Sequence, residues 1–186
     1  LVVVKGGSIR GKIRRAGRLA TVAMRRGTSV TIHLLISGDS HGYIRLLFRQ
    51  VRALERILGV PFDLVLHVGD LGVFPDPTRA DRATRRKAQA DPEYLSFARR
   101  FAVPDEETLA LLRSVTGELG PPVVFVHGNH EDFAYLLAKR VGNDGMVPVD
   151  VYGVLRWLPP GATWTFAKTG RALRIGGLGG VEPSIQ

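Results

Sequence analysis

Val30 to Gly42 (VTIHLLISGDSHG) decides the reading, because a β-branched, apolar run ends abruptly at Gly38 and Asp39, Ser40 and His41 follow at once. A run of that length and composition is a buried strand, and its sudden polar end is a loop. Two later segments repeat the pattern. Asp63 to Val68 (DLVLHV) stops at Gly69-Asp70, and Pro122 to His127 (PVVFVH) stops at Gly128-Asn129-His130-Glu131. Between the first two, Ile44, Leu47, Phe48, Val51, Leu54 and Leu58 recur at helical spacing, with Arg45, Arg49, Arg52 and Arg56 on the other face and Gly59 as the stop. This alternation of strand and helix predicts an α/β domain.

The remaining chain divides into two kinds of segment. Residues 72 to 104 are polar and punctuated by Pro75, Pro77, Pro92 and Pro104, which predicts a long excursion with short helices over Arg79–Ala90 and Pro92–Phe101. Asp105 then caps a helix that carries Glu106 and Glu107 in its first turn. From Val147 onward the expected strands are short: Val151–Leu158, Trp164–Ala167 and Ala172–Ile175.

Composition narrows the function classes. Of 186 residues, 45% are hydrophobic, enough for a core, and no apolar run is long enough to span a bilayer. There is no Cys, so any metal must be held by Asp, Asn, Glu or His. A reducing, cytoplasmic location is expected. The net charge of +9 is uneven: residues 1–38 hold eight basic side chains and no acidic one, and the rest hold 18 basic against 17 acidic. Residues 1–28 are therefore expected to be a basic arm, a solvated or non-native tail with Met24 as the natural start, and residues 29–186 to be the domain. An arm of this charge can also bind phosphate backbones non-specifically.

Three strands that each end in Gly plus a metal-competent side chain imply one crevice, since ligands bind off the carboxyl ends of strands in open α/β sheets. Asp39 and His41 can reach a common cation. Asp70 offers two oxygens and can bridge two cations, and Asn129 adds a neutral amide oxygen. Oxygen and imidazole donors suit Mn²⁺, Fe or Zn²⁺.

The set GDSHG, GD and GNHE, in this order and each after a strand, resembles the calcineurin-like metallophosphoesterases from Val30 to the end of the chain. The resemblance implies a four-layer α/β/β/α sandwich and two divalent ions, Mn²⁺ foremost. It implies a bridging hydroxide that attacks phosphorus. Asp39 and His41 resemble ligands of the first ion, Asp70 the bridging carboxylate, Asn129 a ligand of the second, and His130 the catalytic histidine. Glu131 is expected to orient His130 or its loop. The stretch Arg174-Ile175-Gly176-Gly177-Leu178-Gly179-Gly180 resembles the lariat-debranching-like branch, which implies a phosphodiester substrate, a nucleotide or nucleic acid among them.

One departure stands beside the match. The family pattern adds a lone His and a Gly-His-x-His pair after GNHE, whereas the five histidines here (His33, His41, His67, His127 and His130) end at 130. The C-terminal part of the fold is thus expected to be missing from this sequence, which alone should bind metal weakly and turn over slowly. A catalytically incomplete binding or scaffold domain is the alternative. His67 and His127 are expected in the core or behind the ligands, and His33 mid-strand, buried or paired across strands. Arg82, Arg85, Arg86 and Lys87 are read as a solvated helix face, with a substrate clamp as the alternative.

Overall fold

Period-two burial explains why the three predicted strands can serve two cores at once. In β4 (His33–Ser37), β5 (Leu64–His67) and β6 (Val123–Phe125), the side chains of Leu35, Val65, Val123 and Phe125 enter one hydrophobic cluster. Their neighbours Leu34, Leu64, Leu66 and Val124 enter a second cluster on the opposite face. This is a computed structural model, and it describes residues 31–116, 121–140 and 145–180, together with the strand backbones Val2–Lys5, Arg14–Ala16 and Leu19–Ala23.

Those backbones are β1 (Val2–Lys5), β2 (Arg14–Ala16) and β3 (Leu19–Ala23). The C-terminal strands are β7 (Val147–Pro148), β8 (Leu155–Trp157), β9 (Thr163–Lys168) and β10 (Arg171–Gly177). A seven-stranded sheet runs β2-β3-β4-β5-β6-β8-β7, and a three-stranded sheet runs β1-β10-β9. β4, β5, β6 and β8 are mutually parallel, so the three loops expected to carry chemistry leave the same edge of the sheet. Segments of the expected basic arm thus pair with both sheets, β1 with β10 and β3 with β4. The rest of the arm lies outside the described residues.

Five helices are described: α1 (Ile44–Leu58), α2 (Arg82–Ala90), α3 (Ser96–Arg100), α4 (Glu106–Thr116) and α5 (Phe133–Arg140). α1 buries Ile44, Leu47, Phe48 and Val51 in the first cluster and ends at Gly59, whose φ of 67° is the left-handed turn expected there. The second cluster joins the large sheet to Leu173 and Ile175 of β10. The order is therefore helices, large sheet, small sheet. Ala172 and Arg174 face outward from the small sheet, and no helix among the described residues forms the fourth layer over them.

Four local readings are corrected. Arg45 is buried, not solvated, because its guanidinium pairs with Glu107 of α4 at 2.6 Å. The expected strand Val151–Leu158 starts only at Leu155, because the Asp150 carboxylate draws the amides of Tyr152, Val154 and Leu155 into a turn. The expected helix Arg79–Ala90 splits into a 3₁₀ turn, Pro77–Arg79, and α2, because Asp81 turns its carboxylate to the Thr84 amide as a cap. His33 opens its strand instead of lying in its middle, pairs with Ala23 of β3, and its ring bonds to the Pro61 carbonyl.

Candidate metal centre

The three loops are laced together by their backbones before any side chain is considered. The Asp39 amide donates to the Gly69 carbonyl at 3.0 Å, His41 to Asp70 at 2.8 Å, and Gly42 to Leu71 at 2.9 Å. A side chain on Gly72 would place its Cβ 2.3 Å from the Gly42 nitrogen, so these two loops pack backbone to backbone. Asp39, His41 and Asp70 all sit at positive φ (56°, 45° and 56°). Among the described residues the only other non-glycine at positive φ is Thr169, in a hairpin turn. Strain of this kind persists where the surroundings over-determine it, and here it falls on three residues expected to be ligands.

Asp70 and Glu131 fasten the third loop to the second. Asp70 Oδ1 accepts from the amides of Asn129 (2.8 Å) and His130 (3.0 Å). Glu131, 4% exposed, accepts from the amides of Leu71 (2.7 Å), Gly72 (3.4 Å) and Gly128 (2.8 Å). Burial pushes its pKa up to about 7, the Leu71 amide opposes the rise, and the Asp70 charge adds to it. Glu131 therefore orders the loop, as expected, and its backbone partners place Gly128 and Asp70 side by side.

His41, Asp70 and His130 converge, with one ligand atom from each within 4.8 Å of the others. The imidazoles of His41 and His130 meet edge to face at 4.7 Å between centroids. Burial lowers the His41 pKa, as does the His130 ring, while Asp70 raises it, Lys87 lowers it and Asp39 raises it. Asp39 and Asn129 are placed less directly. Asp39 lies outside the 4.8 Å group, though its charge reaches His41, and Asn129 is fixed through its amide on Asp70. One carboxylate and two imidazoles around one point form a donor set that fits a divalent transition metal.

Sequence reading missed the partner of His130. The Asp81 carboxylate lies 2.9 Å from His130 Nδ1, and the Thr84 hydroxyl lies 3.3 Å from the same nitrogen. Partial burial works against the Asp81 charge, but the Thr84 hydroxyl and amide and the His130 ring more than offset it, leaving the pKa below the usual carboxylate range. With Nδ1 engaged, Nε2 is the His130 nitrogen left to act. The one sequence signal for Asp81 is its capping position, three residues before Thr84.

His67 and His127 lie at the strand ends beneath the loops. His67 is fully buried, its Nε2 is bonded to the Ser40 hydroxyl at 2.8 Å, and burial brings its pKa down to about 4. His127 accepts from the Trp157 indole at 3.3 Å and packs against Gly179, so the Gly-rich stretch after β10 lies against the third loop.

Comparison with known proteins agrees with this geometry. No curated protein matches the chain. The description "calcineurin-like phosphoesterase" attaches to the family that matches residues 32–181, from the start of β4 through the Gly-rich stretch. A match of that extent, over a sheet whose three loops meet at a His/Asp cluster, places this chain in the calcineurin-like phosphoesterase family.

Proposed function

We propose that the chain hydrolyses phosphoesters at the crevice of the three loops, with a phosphodiester as the finer reading. The convergence of His41, Asp70 and His130 at the end of parallel strands carries the proposal. Asp39, His41 and Asp70 would hold one divalent ion, and Asp70 with Asn129 a second. When bound, such ions neutralise charge on the phosphoryl oxygens and generate a nucleophile from water.

The chain's own residues do the rest. Asp81 fixes the orientation of the His130 ring through Nδ1. Nε2 can then donate to the departing oxygen as the bond to phosphorus breaks. Glu131 and the loop amides keep Asp70 oriented without a mobile side chain. The diester reading is supported by the resemblance of the Gly-rich stretch, which packs beside His127 at the base of the third loop.

The test is Mn²⁺-dependent hydrolysis of bis(p-nitrophenyl) phosphate by residues 1–186. Slow turnover that is lost in His130→Ala and on chelation is the expected result. Turnover indifferent to both, or none at millimolar Mn²⁺, would leave the binding or scaffold reading instead.

A further inference from the structure

α2 forms one wall of the crevice, and its residues differ in what they face. Thr84 touches the His130 ring nitrogen at 3.3 Å. Lys87 lies three residues on, about 4.5 Å along the axis and on the same side of the helix. Its ammonium sits 5.3 Å from the Tyr94 ring centroid, and Tyr94 packs edge to face on Tyr43, two residues after His41. Lys87 thus lies between Thr84, which touches His130, and Tyr94, and its charge reaches His41 of the cluster. Among the described residues it makes no ion pair. Asp91, four residues on, is engaged by the Tyr43 hydroxyl and the Glu93 amide. An aromatic face restrains a cation without neutralising it.

The other basic residues of α2 point elsewhere. Arg85 donates to the carbonyls of Thr78 and Ala80. Arg82 and Arg86 are each two residues from Thr84, on the opposite side of the helix. With Ala83 they line a separate depression of about 470 Å³.

We infer that Lys87 is a specificity-determining anion-binding residue and that the substrate is a phosphoester bearing a second phosphate. The scissile phosphate lies at His41, Asp70 and His130, and the second meets the Lys87 ammonium. This rests on the proposed metallophosphoesterase site. A charge-assisted contact of this kind amounts to about tenfold in affinity.

Calorimetric titration with thymidine 5′-phosphate and thymidine 3′,5′-bisphosphate in millimolar Mn²⁺ tests it without requiring turnover. Wild-type protein binds the bisphosphate about tenfold more tightly, a ratio that falls below about threefold in Lys87→Met and survives in Lys87→Arg and Arg82→Met. An unchanged ratio in Lys87→Met, or its loss in Arg82→Met, overturns the inference alone. Failure of both nucleotides to bind wild-type protein overturns the metal-site reading and this inference with it.

Discussion

The loops at 39–42, 69–72 and 128–132 and the excursion at 72–104 meet at His130 but are built by opposite means. The loops are fixed by backbone: amide to carbonyl, glycine against glycine, and two carboxylates that accept main-chain N–H groups across the loop boundary. The excursion is fixed by side chains: Arg79 on Asp132, Asp81 on His130, Tyr43 on Asp91, and the Ser96 hydroxyl on the Gly42 carbonyl at 2.5 Å. Backbone lacing tolerates little substitution and holds Asp39, His41 and Asp70 at positive φ. Side-chain docking can vary without dismantling the sheet. In the proposed function the loops would supply the chemistry, and the excursion, through Asp81, would orient His130.

The largest effect is expected where the lacing is tightest. A Cβ on Gly128 would lie 2.1 Å from Asp70 Oδ1 and 2.7 Å from the Asp70 amide, so Gly128→Ala must displace the carboxylate or its backbone. A loss of about 3–5 kcal/mol in urea unfolding is predicted, together with loss of Mn²⁺ binding. A loss under 1 kcal/mol would show the loops to be looser than drawn.

Next comes the Arg79–Asp132 pair, which docks the excursion to α5 at 2.7 Å, with the Asp132 side chain 3% exposed. Arg79→Met leaves that buried carboxylate with the Tyr135 amide but without its cation, and about 2–3 kcal/mol of destabilisation should follow. The excursion would then be protected less from hydrogen exchange while the sheet strands keep their protection.

Acid separates the regions in another way. His67 has a folded pKa of about 4 against 6.5 for the free side chain, so the unfolded state binds its proton first as pH falls. Its contribution is fully present above pH 6.5 and is lost progressively between 6.5 and 4. Between pH 7 and 5 the cost is about 2 kcal/mol. His67→Leu should flatten that part of the stability profile, and an unchanged profile would mean that the imidazole is hydrated.

Smallest in stability is Asp81→Asn, which keeps a side-chain oxygen for the Thr84 amide and costs under about 0.5 kcal/mol, yet lowers hydrolysis about tenfold or more. A fall in turnover with Mn²⁺ affinity held within threefold would mark Asp81 as orienting His130. Equal losses in both would mark it as structural.

The contrast also explains what the sequence revealed. Strands β4, β5 and β6 and helix α1 were legible because apolar runs and 3.6-residue periodicity are local properties. His41, Asp70 and His130 were legible because a loop motif stays in one piece along the chain. Asp81, Thr84 and Lys87 were not. Their helix could be read from composition, but its place over His130 is set by Ser96 on Gly42 and Tyr43 on Asp91, contacts between segments 48 or more residues apart. Arg45 was misread for the same reason, since its partner lies on α4. Asp39 and Asn129 remain proposed as ligands, the first held near His41 by its backbone and the second aligned by Asp70.

The account rests on one point in space shared by three loops. Anomalous scattering at the manganese edge from crystals soaked in millimolar Mn²⁺ tests that point directly. The predicted result is a peak in contact with His41 and Asp70 and beside His130, absent in Asp70→Asn crystals. A peak elsewhere on the surface, or none at that crevice in fully soaked wild-type crystals, would contradict the account.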